Sequence, residues 1–284
     1  MRAQEDKGMQ QNQDRVSAVS SSVTGLAIEL IEVDKSFGRQ KVLDGINLSI
    51  KEGQTTVITG ASGQGKSVIL KHMLGLIHPD GGIVRVLGQD INRIGKRGRR
   101  QLRMHFGVLF QNVALFDSMT VYDNVALPLR ERNKFTESQI KANVEEKLAM
   151  MDLHDINHKY PAEISGGMKK RVGLARALVT HPRIVFFDEP TTGLDIHRSN
   201  EIYRLFHRTQ QELGYTAVIV SHDVPRIFKL CDNVALLSER KIQGHMSPNE
   251  FQRSENPHIQ AFVKTTMGPI YSSKKEELAF YAKT

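Results

Sequence analysis

The strongest constraint on this chain is the run Gly60-Ala61-Ser62-Gly63-Gln64-Gly65-Lys66-Ser67. It matches G-x-x-x-x-G-K-[ST], a loop that cradles phosphates and needs a buried strand before it and a helix after it. Both are legible. Gln54 to Thr59 is almost wholly β-branched around apolar Val57 and Ile58, as a buried strand is, and Lys66 to Leu76 reads as a helix. The glycines let backbone N–H groups converge on phosphate oxygens, and the helix start adds partial positive charge. Lys66 is expected to reach the β- and γ-phosphates, and Ser67 to give an oxygen to Mg²⁺.

The rest of the chain extends that pattern. Leu26 to Asp34 and Val42 to Ile50 alternate apolar and polar residues, as strands do, with a turn at Lys51-Glu52-Gly53. Pro79-Asp80-Gly81-Gly82 is turn chemistry before a strand at Ile83 to Leu87. Phe106 to Phe110 is a short strand, and Pro128 closes the stretch after it. Thr136-Glu137 opens a helix to about Met151, and Ser165 precedes one ending near Thr180. Ile184 to Phe187 is an apolar strand, and helices at Ile196 to Leu213 and Val224 to Leu230 flank a strand at Thr216 to Ser221. Alternation from residue 54 onward implies a parallel α/β core. The mostly helical segment from about 88 to 180 interrupts it and reads as an insertion between two core strands.

Composition excludes several classes. With 39% hydrophobic and 25% charged residues the chain reads as globular. The single cysteine, Cys231, permits no internal disulfide. No apolar run approaches the roughly 20 residues that span a bilayer. Residues 1–24 are polar, without the apolar centre of a signal peptide, and are expected to be disordered. The net charge is +8, with a cluster at Arg93, Lys96, Arg97, Arg99, Arg100 and Arg103. That cluster has no interleaved aromatics, so it is a poor single-strand binding platform and reads as a solvated face near a membrane or partner. His154 and His158 lack a helix signal and a third ligand, and read as surface histidines.

Two further features carry chemistry. Asp188-Glu189 follows the strand Ile184 to Phe187, which puts carboxylates at a strand end beside the phosphate loop. Asp188 is expected to hold Mg²⁺, and Glu189 to accept a proton from the attacking water. Ile164-Ser165-Gly166-Gly167-Met168 is a second phosphate-type helix start, with Ser165 as N-cap and two glycines for close approach. Two such starts on different subdomains cannot grip one γ-phosphate, so a pair of subunits sharing sites is expected.

These motifs, in this order, resemble the ATPases of ABC transporters across residues 27–263. The resemblance implies a P-loop NTPase core with a parallel sheet, an antiparallel β edge and an inserted helical subdomain at about 112–180. It implies an ATPase domain over 25–263 and a C-terminal extension over 264–284. It matches Phe37 to the aromatic that stacks on adenine, and Gln111 to the glutamine that senses Mg²⁺ and the membrane partner. Asp195 matches the loop that communicates across the dimer, and His222 the switch histidine at the γ-phosphate. The implied cofactors are ATP and Mg²⁺. Two positions depart from the family. Met168 stands where the signature has Gln, and Val68 where the phosphate loop has Thr, leaving the α-phosphate to backbone alone.

The stretches Ser165 to Val172 and Ala114 to Glu131 are similar to ATPases serving lipid transporters of the Mla/Mce type. So is Gly268-Pro269-Ile270-Tyr271, which resembles an extension reaching over the partner ATPase. The resemblance implies phospholipid or related cargo. It also implies a second copy of the chain, a membrane permease and an Mce-type lipid-binding protein as partners, at the cytoplasmic side of the inner membrane. No nucleic acid is expected. The rival readings are an ABC ATPase for amino acids or ions, and one acting on nucleic acid or ribosomes.

Overall fold

The computed structural model describes residues 25–267, apart from the side chains of Val224 and Pro225. The expected disordered tail at 1–24, the Gly268 to Tyr271 motif and most of the 264–284 extension lie outside the described residues.

In chain order the elements begin with strands β1 (Leu26–Phe37), β2 (Gln40–Lys51) and β3 (Thr55–Thr59) and helix α1 (Lys66–Met73). Then come β4 (Gly81–Val86), β5 (Gln89–Asp90), α2 (Lys96–Arg103) and β6 (Phe106–Leu109). Helices α3 (Val121–Glu131), α4 (Glu137–Met150) and α5 (Gly166–Leu178) precede β7 (Ile184–Asp188). The chain continues through α6 (Ile196–Leu213), β8 (Thr216–Val220) and α7 (Val224–Ile227). It then forms the hairpin β9 (Asn233–Ser238) and β10 (Lys241–Met246), followed by α8 (Pro248–Arg253) and α9 (Pro257–Met267).

Two sheets organise the molecule. The larger runs β10-β9-β3-β8-β7-β6, parallel except for the β9–β10 hairpin. The smaller, β2-β1-β4-β5, is antiparallel. Ile83 to Leu87, expected within the parallel βα alternation, belongs instead to the antiparallel sheet: β4 pairs with β1, with Ile28 opposite Val86. The reason is visible in burial. β3 is buried at every residue, as a parallel interior strand must be, whereas β4 buries only Val84 and Val86 and leaves its other positions partly open.

Pro128 is a second correction. It lies inside α3 rather than ending that stretch. A helical proline costs about 3 kcal/mol. Val121, Val125 and Leu129 all bury on one face of α3, and three such side chains contribute about 5–9 kcal/mol. Packing therefore outweighs the lost hydrogen bond. Thr120 caps α3, and Thr136 with Gln139 forms a capping box on α4. The helix expected over Val224 to Leu230 stops at Ile227, and α9 runs across residue 264. The basic cluster from Lys96 onward forms α2, anchored by buried Leu102 and by Arg103 donating to the Gly75 carbonyl at 2.8 Å, while Arg93 lies before the helix and pairs with Asp90 at 3.3 Å.

The parallel sheet separates two apolar cores. Val57, Val185, Phe187, Ile219 and Leu236 face a core shared with α3, α4, α5 and α6. Their neighbours Ile58, Ile184, Phe186, Val220 and Leu237 face a core shared with the antiparallel sheet and α1. Successive residues of a strand point to opposite faces, so the septum feeds both.

Candidate functional site

The parallel strands set the site by ending together. Ile58 is in register with Val220, and Val220 with Asp188. Gly60, Ser221-His222 and Asp188-Glu189 therefore emerge along one edge, with Gln111 just beyond β6. β3, flanked by β8 and β9, sits where strand order reverses, the usual place for a ligand crevice in such sheets.

Gly60 is required at its position. Its φ is 146°, and a Cβ there would sit 2.2 Å from the Leu237 carbonyl oxygen on β9. Ala61, Ser62, Gly63 and Gln64 form the exposed turn, and Gly65 is the N-cap of α1. No side chain caps that helix and no acid occupies its first turn, so nothing of the protein's competes with an anion for its positive end. Lys66 is buried, and its Nζ donates to the carbonyls of Gly60 at 2.8 Å and Ala61 at 3.0 Å. Burial pushes its pKa down, opposed by Glu189 and Asp188. Val68 is partly buried against the second core, consistent with an apolar residue at that position.

Ser67 Oγ lies 3.4 Å from Asp188 Oδ1. Burial raises the Asp188 pKa, helped by the like charge of Glu189 and opposed by Ser67. A cation would relieve that strain. No group of three or more His, Cys, Asp or Glu among the described residues is arranged to hold a metal. Mg²⁺ fits such a site because it commonly takes one or two carboxylates and completes its shell with substrate phosphates and water. Ser67 and Asp188 are the residues that would hold it.

Glu189 has a left-handed backbone, φ 46°, pinned by its N–H to the Val220 carbonyl at 2.9 Å. Such strain in a non-glycine residue collects at functional sites. His222 Nδ1 lies 2.6 Å from Glu189 Oε2, so the fold brings these two together. At the far end of β1, Phe37 is half exposed, with Lys35 Nζ 5.4 Å from its ring centre. A cleft of about 360 Å³ beside it is lined by Arg39, Lys41, Gly63, Gln64 and Arg240.

Ser165 stands apart from this cluster. It caps α5 by accepting the Met168 N–H at 3.3 Å, and both it and Gly166 are exposed. Ser165 and Gly167 line a cavity of about 490 Å³ with Asp152, Arg171, Arg198 and Glu201. No hydrogen bond or ion pair among the described residues joins it to Gly60–Ser67. Asp195 caps α6, accepting the Arg198 N–H at 2.9 Å, which keeps its carboxylate ionised to lower pH.

Sequence reasoning missed the cations that hold the Gln111 loop. Lys170 Nζ donates to the Gln111 carbonyl, while Arg176 donates to the carbonyls of Val113 at 2.5 Å and Ala114 at 2.7 Å. Val113 and Ala114 both have positive φ. The available signal was Lys170 and Arg176 six apart on a largely apolar helix. Arg39 and Arg240 were also missed, because Arg240 reaches the cleft only through the β9–β10 hairpin. His154 and His158 are exposed, as expected.

The family model for ABC transporters matches residues 43–192. The chain is 39% identical over 259 residues to the probable ribonucleotide transport ATP-binding protein mkl of Mycobacterium tuberculosis, covering 91% of this chain and 72% of that one. It is 38% identical over 250 residues to the methionine import ATP-binding protein MetN of Carboxydothermus hydrogenoformans, covering 87% and 73%. Among solved structures, cbiO1 from Clostridium perfringens, part of the cbiONQ transporter complex, has TM-score 0.76 and 29% identity, covering 86% and 97%. The dimeric ATP-binding cassette MJ0796 with ADP and Pi has TM-score 0.71 and 29% identity, covering 78% and 98%. The fold is that of an ABC ATPase, and the chain belongs to the ABC transporter family as an ATP-binding subunit that hydrolyses ATP with Mg²⁺.

Proposed function

We propose that two copies of this chain close around two Mg·ATP. Each nucleotide is held by Gly60–Ser67 of one copy and by Ser165, Gly166 and Gly167 of the other. The observation that carries this reading is the separation of two exposed phosphate-type helix starts within one chain. Phe37 stacks on adenine, Ser67, Asp188 and Gln111 serve Mg²⁺, Glu189 is the general base, and His222 orients it and the transferring phosphoryl group. Asp195 meets the partner copy. The dimeric relative supports the arrangement. Light scattering of Glu189→Gln with and without Mg·ATP tests it: an ATP-dependent dimer is expected, and a monomer under saturating ATP refutes it.

The ATPase domain is read as residues 25–263, with residues 112–180 as its helical subdomain. A cleft of about 400 Å³ beside the Gln111 loop, lined by Phe110, Phe116, Leu127, Pro128 and Arg176, supports docking of a permease helix. Phe110 and Phe116 are both exposed, as an apolar contact surface would be. No helix among the described residues is long and apolar enough to cross a membrane, which fits peripheral attachment through that permease at the cytoplasmic face.

For cargo, we favour phospholipid or a related lipid, with an Mce-type protein as accessory. Ser165 to Val172 and Ala114 to Glu131 support this. Relatives are named for ribonucleotide, methionine and sulfate transport, so small polar cargo is the alternative. Reconstitution with the co-purifying permease in vesicles separates them. Stimulation of ATPase by phospholipid is expected; stimulation by methionine or sulfate instead refutes the lipid reading.

A further inference from the structure

Three elements meet behind the Glu189–His222 pair. Glu189 opens the loop after β7, Ser221-His222 opens the loop after β8, and α6 packs beneath both. Tyr203, near the middle of α6, is 2% exposed. Its hydroxyl oxygen lies 2.9 Å from Thr191 Oγ1 and 3.3 Å from Ser221 Oγ. Thr191 is two residues beyond Glu189, and Ser221 immediately precedes His222. Ser221 Oγ also accepts the Asp223 N–H at 3.0 Å. One phenolic oxygen thus joins a side-chain hydroxyl from each loop, just behind the 2.6 Å contact between Glu189 and His222.

Packing does not explain this hydroxyl. The ring meets Phe206 edge-on at 6.2 Å, and phenylalanine would fill the same space. A buried hydroxyl is costly unless it is bonded, and here it is bonded on two sides. Burial pushes the phenol up to about 12, so it stays neutral and able to donate at physiological pH. The alternative placement of such a group, facing solvent, would leave the two loops joined only through their strands.

We propose that Tyr203 is a positioning residue: its hydroxyl holds the Thr191 and Ser221 loops in register so that Glu189 and His222 meet. The inference rests on the assignment of Glu189 and His222 to the chemistry. Among the described residues the Tyr203 hydroxyl bonds to Thr191 and Ser221 and to no group of Gly60–Ser67 or Ser165–Gly167, so its effect belongs in turnover and not in ATP affinity. A misplacement of catalytic groups by about 1 Å can cost 10²-fold in rate.

The test uses the full-length chain and compares Tyr203→Phe with Phe206→Leu and Glu189→Gln. Tyr203→Phe keeps the ring and removes only the bridge; kcat is expected to fall roughly 10- to 100-fold with KM for ATP unchanged. Phe206→Leu disturbs the core around the Tyr203 ring but removes none of the three bridging hydroxyls, and is expected to lower the melting temperature while keeping kcat at a permissive temperature. Wild-type kcat in Tyr203→Phe, a change confined to KM, or an equal kcat loss in Phe206→Leu would each overturn the proposal. Glu189→Gln separates the two levels of inference. If it retains turnover, the catalytic assignment itself fails. If it abolishes turnover while Tyr203→Phe is wild type, only the bridge fails.

Discussion

Replacing Phe37 with alanine tests the proposed stacking on adenine apart from everything else in the site. The side chain is 50% exposed, so at most about half of the 1.5–3 kcal/mol for burying a phenylalanine is at stake in stability. Lys35, which faces the ring, keeps its own anchors at Asp80 (2.7 Å) and the His78 carbonyl (2.9 Å). The local hairpin should survive. Stacking on a base is worth about 1–3 kcal/mol. At about 1.4 kcal/mol per decade, Kd for ATP should rise roughly 5- to 150-fold. Calorimetric titration with a non-hydrolysable ATP analogue reads this directly. Phe37→Tyr should restore affinity, and GTP should lose affinity in parallel, because stacking does not read the base edge. A Kd for Phe37→Ala within twofold of wild type would refute the assignment. So would a loss that scales with a fallen melting temperature.

Three other outcomes follow from the geometry. Asp188→Asn should abolish hydrolysis yet stabilise the nucleotide-free protein at neutral pH. The Asp188 pKa is raised by burial, so its ionised form opposes folding, and wild-type stability should gain as pH falls through the raised value towards the ordinary carboxylate range. Denaturant melts of both proteins across that window check the sign, and equal pH dependence in the two contradicts it. Gly60→Ala should destabilise by about 2–6 kcal/mol from backbone strain plus overlap, since its Cβ meets the Leu237 carbonyl. Gly63→Ala, with open space around it, should lose only about 1–2 kcal/mol, and equal losses in the two would contradict the overlap. Lys170→Ala should speed amide exchange over residues 111–114, because its Nζ holds the Gln111 carbonyl; unchanged exchange would mean the Gln111 loop does not depend on this cation.

How much was legible in the sequence varied with the range of the forces involved. The Gly60–Ser67 turn is local chemistry between adjacent residues, so its strand and helix could be read directly. β4 could be read as a strand, but its sheet could not, because Ile83 to Leu87 looks alike in either sheet until its half-open face is seen against β1. Pro128 misled for the same reason: the breaker is written in the sequence, while the burial of Val121, Val125 and Leu129 that overrides it is tertiary. The strands Asn233–Ser238 and Lys241–Met246 carry no motif and drew no expectation. In the site, Ser165 announces itself as the cap of a local helix, whereas Asp195 is reached only through the family resemblance and its capping of α6 is seen only in the structure. Lys170, Arg176 and Tyr203 do not announce themselves, since each acts on backbone or hydroxyl groups distant in the chain.

The septum between the two cores gives residue parity a physical meaning. Val185 and Phe186 are chain neighbours, yet one belongs to the helical side and the other to the antiparallel side. The same holds for Val57 and Ile58, and for Leu236 and Leu237. A cavity cut at an odd or even step along one strand is therefore delivered to a different half of the molecule. Mutational damage in this protein should map by which side of the wall a residue faces rather than by its distance along the chain. Adjacent letters on β7 are addresses in separate rooms, with the Glu189 loop as the doorframe between them.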